Sequence, residues 1–570
     1  MRVRILALAL ALATLGCAIP ASVPAQAPEA APGEVVAVLT AARIHTLDPA
    51  QPQATALAWD AEGRIVAVGK AAELRRRFPQ ARHVDADKGT VVPGLIDAHA
   101  HVMGLAQALM SADLTGAGSK AEIVERLRAF AATIPEGAWI VGRGWDQNRW
   151  PEQAFPTAAD LDAAFPDRPV WLVRVDGHAG WANSAAMAAA QALEGARALD
   201  GDWQPEGGHI VRQDGRASGV FVDGAMVLVE RAIPAPDAAW QEQALERALE
   251  LAVANGLTGV HDMGVSREEL ALMRRFADEG RLPLRISAYA DGDGPALADL
   301  CAHGLYRHPS GRLQMKGVKL YIDGALGSRG AALLEDYSDE HGNRGLLVTD
   351  PQAYAAAVIK ARDCGVQVAT HAIGDRGNRI ALDTYQHALA ARTARADHRW
   401  RVEHAQVVAP EDLPRFAALR LVASMQPTHA TSDMPWAGER LGQARLAGAY
   451  AWRRLLDLGV PLALGSDFPV ESVDPRLGLY AAVPRQDLDG QPPGGWLPGQ
   501  RLSAVEALRG FTVEAARAGH DESEVGRLAP GLRADFVVFD RDPLAVPPAE
   551  LPKLQVRSTW VDGQAVYTAD

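Results

Sequence analysis

Cysteine is nearly absent: the 570 residues hold three, at positions 17, 301 and 364. That excludes a small scaffold held together by a disulfide framework. Cys301 and Cys364 read as buried small apolar residues, and no pairing between them is legible. Basic charge is also in deficit. Lys and Arg total 57 against 70 Asp and Glu, a formal net charge of −13, which argues against electrostatic nucleic-acid binding. No apolar run is long enough to span a bilayer. The longest near the start, Ile5–Leu15, is too short for a transmembrane helix. Several catalytic signatures are missing: HExxH, a P-loop and the GxSxG nucleophile elbow. GSRG at Gly327 lacks a glycine two residues before the serine, and GRGWDQ is not a dinucleotide fingerprint. There is no internal repeat beyond an alternation of strand and helix signals.

The chain begins with Arg2 and Arg4, the apolar run, and small residues ending at Ala25-Gln26-Ala27. This is the layout of a secretory signal peptide over residues 1–27, without a twin-arginine pair. It implies a secreted or periplasmic protein. Lipoprotein anchoring through Cys17 is the second possibility, because Thr14 stands where a leucine is expected. Residues 28–34 read as a linker. Short alternating runs then fill 35–90, and similar runs return over 525–570. They predict a small β-sandwich built from both chain ends.

Between them, residues 91–524 alternate strand and helix. Eight short apolar runs stand out: LIDAHAH, LTGVHDMG, LRISAYA, GVKLYIDG, VQVATHAIG, WRVEHAQ, LVASMQP and PLALGSDFP. Eight such units predict an α/β fold, a (β/α)8 TIM barrel, with an insertion at about 105–250 after the first barrel strand. Polar residues gather at the C-terminal ends of the runs, the face on which barrel active sites lie.

The most informative stretch is AHAH, Ala98–His101. Residues i and i+2 of a strand point the same way, so His99 and His101 converge on one point, which suits a divalent metal. Lys319, His371, His404 and Asp467 end four further runs. Imidazoles and carboxylates hold a zinc-like ion and leave a position for water. An ammonium has no lone pair, so Lys319 as a ligand must be deprotonated and carboxylated by CO2. Its alternative is a salt bridge to Asp323, and Lys316 is its neighbouring competitor. Asp467 suits a general base that then serves as general acid. His178, Trp145, Tyr321, Arg329 and His429 are candidate substrate-binding residues: histidines for a carbonyl, tryptophan for an apolar wall, Arg329 for a carboxylate. Packing or loop hydrogen bonding is the alternative for each, as for Trp150. His261 and Asp262 read as supports behind the metal ligands.

Taken in order, PGLIDAHAHV, GRGWDQNRW, DGHAGWANSAA, GVKLYIDGALGSR, THAIGD, EHAQ, SMQPTHATSDM and LGSDFPVESVDP resemble the amidohydrolase superfamily. The resemblance is specifically to its YtcJ-like branch of metal-dependent hydrolases (amidohydrolase family 3), which includes N-substituted formamide deformylase. It spans residues 35–570. It implies His99, His101, His371, His404 and Asp467 as ligands and Lys319 as a bridging carboxylated lysine. It further implies one or two divalent metals per chain, Zn²⁺ first among them, and is compatible with a homodimer. The expected activity is hydrolysis of an amide or formamide C–N bond in a small molecule, by metal-bound hydroxide with Asp467 as proton shuttle. Esterase, lactonase or deaminase action on the same site is the alternative, and a non-catalytic scaffold the remote one.

Overall fold

Eight parallel strands make the centre of the molecule: β1 (Leu95–Ala100), β2 (Leu257–Val265), β3 (Arg285–Asp291), β4 (Leu313–Tyr321), β5 (Gln367–Ala372), β6 (Arg401–His404), β7 (Val422–Met425) and β8 (Leu462–Leu464). The computed structural model describes residues 34–569, apart from 176, 178, 206, 207, 236 and 392–395. The leader, Cys17 and all but the last linker residue lie outside the described residues.

Each strand pairs with its successor in parallel register from β1 to β8. Two backbone hydrogen bonds then join the ends: Asp467 N–H to the His99 carbonyl (2.7 Å) and His101 N–H to the Phe468 carbonyl (2.9 Å). Gly465 makes that approach possible, since a Cβ there would lie 2.5 Å from both Asp97 Oδ1 and His99 N. The result is a (β/α)8 barrel. β4 starts four residues before the apolar run that announced it, because Gln314 and Lys316 make its first half look polar. β8 is only three residues long.

The helices form because their ends are capped and one stripe is apolar. Ser266 and Glu269 make a reciprocal capping box at the head of Arg267–Asp278, which buries Leu272, Met273, Phe276 and Ala277. Asp350 caps Pro351–Asp363, with proline at the first helical position. These stripes and the outer sides of the strands share the largest apolar cluster. No described helix is long and apolar enough to cross a membrane.

The two chain ends meet in one eight-stranded sheet: Phe536–Phe539 pairs antiparallel with Thr90–Pro93, which pairs with Val35–His45. Alternate residues of Val35–His45 supply apolar clusters on opposite faces, Ala37 and Leu39 on one and Val38 on the other. The insertion carries a six-stranded sheet between Ala112 and Asp223 with apolar clusters of its own. The helix Ala238–Ala254 packs on Val102–Leu109 and joins the barrel's core instead. Cys301 and Cys364 are bonded to each other as a disulfide, so they are not two separate buried thiols. The bridge links the helix Pro295–His303 to the end of Pro351–Asp363.

Candidate metal centre

The strand ends bring His99, His101, Lys319, His371, His404, His429 and Asp467 together. His99 lies within β1 and His101 directly follows it. Lys319 and His371 sit near the ends of β4 and β5, and His404 ends β6. Asp467 stands three residues past β8. The rings of His99 and His404 are 4.6 Å apart, as are those of His371 and His404, and His404 stacks on His429 at 5.9 Å. Asp467 Oδ1 lies 3.1 Å from His101 Nε2 and 3.5 Å from His99 Nε2, and its Oδ2 lies 3.6 Å from His429 Nε2.

Three residues hold left-handed backbones here: His404 at φ +70°, Ala405 at φ +43° and Asp467 at φ +64°. Side chains rarely adopt this left-handed region, which costs about 1–3 kcal/mol per residue and recurs at functional sites. Asp97 fastens the segment after β8 to β1. Its carboxylate accepts from His99 N (3.1 Å), Ser466 N (3.0 Å) and Ser466 Oγ (2.6 Å).

Each of three histidines has its Nδ1 occupied. His99 Nδ1 meets Glu403 Oε2 at 2.6 Å, His101 Nδ1 the Met263 carbonyl at 2.7 Å, and His404 Nδ1 the Gln426 amide oxygen at 2.9 Å. Nε2 is thereby the ring nitrogen that each of them turns toward the cluster. His429 is arranged the other way, with its Nδ1 3.1 Å from the Gln406 amide nitrogen. His429 Nε2 is buried without a hydrogen-bond partner, as is His371 Nε2, 3.7 Å from Asp323 Oδ1, and Asp467 Oδ1 is met by His101. His99, His101 and Asp467 offer ligand atoms within 4.8 Å of one another, and so do His404, His429 and Asp467. Nitrogen and oxygen donors of this kind, buried and converging, fit a zinc-like divalent cation.

Lys319 is 1% exposed, and its Nζ lies 3.0 Å from His99 Nε2. It does not form a salt bridge with Asp323, whose carboxylate instead accepts the backbone N–H groups of Ala332, Ile373 and Gly374. Lys316 points elsewhere and pairs with Asp521 at 3.0 Å. Burial brings the Lys319 amine down to about 8. Burial, followed by Lys319, holds His99 well below the usual imidazole range and brings His371 down to about 3. Burial, with His99 and His371 beside it, does the same to His404. Burial works against charge on His101 and Asp467, but their mutual contact prevails: His101 is raised and Asp467 is held well below the carboxylate range.

The other candidates are placed differently. Tyr321 borders the site, with its ring 5.1 Å from Lys319 Nζ and its hydroxyl 3.4 Å from Asp291 Oδ1. The Arg329 guanidinium is engaged by Asp339 (2.9 Å) and Glu340 (3.3 Å). Trp145 is enclosed with Trp150 and Trp181 in an apolar cluster of the insertion, and its indole N–H donates to the Leu172 carbonyl. His178 lies outside the described residues. Asp262 Oδ1 accepts from Val102 N, next to His101. His261 lies behind the candidate ligands, 2.8 Å from Arg401 Nη1. Sequence reasoning missed Glu403, Gln426, Gln406 and Asp97. For Asp97 and Glu403 the available signal was a polar residue inside a strand, two residues from or directly before a candidate ligand; Gln406 and Gln426 lie just past β6 and β7 and carried no such mark.

Residues 82–567 match the amidohydrolase family, and residues 61–81 match a bacterial imidazolonepropionase-like composite domain. The chain is 31% identical over 519 residues to YtcJ of Bacillus subtilis (strain 168), covering 89% of this chain and 94% of that one. It is 31% identical over 528 residues to N-substituted formamide deformylase of Arthrobacter pascens, covering 89% and 93%. Among solved structures, an uncharacterized metal-dependent hydrolase from Pyrococcus horikoshii OT3 superposes with a TM-score of 0.75 at 28% identity, covering 90% of this chain and 99% of that chain.

Proposed function

Since the chain belongs to the amidohydrolase family, we propose that it is a metal-dependent hydrolase that cleaves the C–N bond of a small amide or N-substituted formamide. The carrying observation is the set of buried, converging nitrogen and oxygen donors around Asp467 at the C-terminal end of the barrel. His99, His101, His371, His404 and Asp467 would hold one or two divalent cations, zinc first among them, with Lys319 as a carboxylated bridge. Such a cation would lower the pKa of a coordinated water to about 7 and polarise a carbonyl.

The remaining chemistry belongs to the chain. Asp467 takes the proton of the attacking water and returns it to the leaving nitrogen, so amine departs as a neutral group. The Gln406 amide facing His429 Nδ1 leaves the proton of that imidazole on Nε2, 3.6 Å from Asp467 Oδ2. His429 thereby donates a hydrogen bond to the carbonyl oxygen as negative charge develops there. Burial keeps the Lys319 amine low enough to react with CO2 as a free base. The pairing of Arg329 with Asp339 and Glu340 favours neutral amides over N-acyl amino acids, whose carboxylate would need that guanidinium. Export fits the same reading, because the Cys301–Cys364 disulfide suits an oxidising compartment.

The test is amine release from a panel of N-substituted formamides and N-acyl amines by wild type and Asp467→Asn. Wild type should release the amine. The variant should retain its fold and lose at least about 10²-fold in kcat, the usual scale for a lost proton shuttle. Undiminished turnover by Asp467→Asn would remove the shuttle role, and release of ammonia in place of amine would redirect the reading to deamination.

A further inference from the structure

Among the three histidines with an occupied Nδ1, only His99 faces a carboxylate. His101 and His404 face a carbonyl and an amide oxygen. The contact between His99 Nδ1 and Glu403 Oε2 is 2.6 Å, and both side chains are fully buried. On the far side of the ring, Nε2 lies 3.0 Å from Lys319 Nζ and 3.5 Å from Asp467 Oδ1. A carboxylate accepts and does not donate, so Glu403 draws the ring proton to Nδ1.

Glu403 is itself clamped. Arg401, two residues earlier on the same strand, donates Nε to Glu403 Oε1 (2.7 Å) and Nη2 to Oε2 (3.0 Å). Nη1 reaches His261 Nδ1 on β2 (2.8 Å) and the Tyr289 hydroxyl on β3 (3.0 Å), and Nη2 shares its two hydrogens among Glu403 Oε2, the Ala98 carbonyl on β1 (2.5 Å) and Ser424 Oγ on β7 (2.8 Å). One guanidinium therefore ties together five of the eight strands. A buried ion pair adds little stability over apolar packing of the same volume, so cohesion alone does not account for this arrangement.

We propose that Glu403 is a positioning residue. It fixes His99 as the Nδ1–H tautomer and presents a bare, more basic Nε2 to the metal, while Arg401 holds the carboxylate in place. The metal half of this statement rests on the proposed function, but the tautomer half does not. A carboxylate behind a ligating imidazole orients the ring and strengthens it as a ligand, and its loss typically weakens metal affinity by 10–100-fold.

The experiment uses the full-length protein stripped of metal by chelator. Zinc affinity is measured by competition with a chromophoric chelator for wild type, Glu403→Gln and the double variant Arg401→Met/Glu403→Gln, in which no guanidinium is stranded. Both variants should bind zinc about 10–100-fold more weakly, with far-ultraviolet circular dichroism unchanged. In parallel, ¹⁵N-histidine NMR of the metal-free wild type should show the His99 proton on Nδ1, assigned by its loss in His99→Asn. Wild-type zinc affinity in folded variants, or a His99 proton on Nε2, overturns the proposal. Unfolded variants leave the decision to the wild-type tautomer. Failure of wild type to bind zinc, with His99 in the Nδ1–H form, refutes the metal reading and leaves the tautomer lock supported.

Discussion

The Cys301–Cys364 bridge encloses the part of the chain that carries Lys319. Its cysteines are 63 residues apart, and the segment between them includes β4 and the whole connection from Tyr321 to Pro351. Replacing both cysteines by serine frees this loop in the unfolded chain. The loop-closure relation for 63 residues gives about 4 kcal/mol of lost stability at 25 °C. An unfolding entropy of about 2.1 cal/mol/K per residue turns this into a fall of roughly 4 °C in Tm. Scanning calorimetry of wild type and Cys301→Ser/Cys364→Ser measures it directly. Thiol titration of the unfolded wild type, with and without reductant, confirms that the bond was present. Because the bridge lies on outer helices, metal content should be unchanged. A double variant melting within 1 °C of an oxidised wild type would refute the reasoning.

Trp145→Ala should cost about 3–5 kcal/mol of stability by opening a cavity beside Trp150 and Trp181, yet leave metal content intact. Denaturant midpoints and elemental analysis read the two halves, and a loss of metal would place Trp145 nearer the site than its packing indicates. At Glu506, the bond from Arg453 and then the Ser503 cap bring the carboxyl down from 4.5 to about 2. A depressed folded pKa stabilises above the unfolded value, and that gain is lost as pH falls through 4.5 toward 2. Glu506→Gln should therefore flatten the decline of urea midpoints between pH 4.5 and 2, and curves parallel to wild type would contradict the assignment.

The barrel was legible because its strands are short apolar runs and the candidate ligands stand where those runs stop. His99, His101, His371, His404 and Asp467 each break an apolar run at its C-terminal end, so spacing alone placed them on one face. The buried polar groups behind them were not legible. Arg401 and Glu403 are charged residues, which in sequence read as solvated, and their partners come from β1, β2, β3 and β7 across the barrel. Gln314 and Lys316 hid the start of β4 for the same reason, since Ser287 and Asp521 receive them. Arg329 looked available because Asp339 lies ten residues on, in a loop whose path no periodicity reveals. Trp145 carried no mark to separate a pocket wall from a packed core. The disulfide joins the helices of two successive βα units, and their contact depends on how each packs on the sheet, which spacing does not show.

The central claim is that these strand ends form a metal site. Elemental analysis of the purified chain, in wild type, His99→Ala/His101→Ala and Lys319→Ala, tests it most directly. Wild type should carry one or two divalent metal ions per chain, the double-histidine variant should lose them, and Lys319→Ala should carry fewer. Wild type free of metal after growth and dialysis in zinc-containing medium, or a double-histidine variant that retains the full complement, would contradict it.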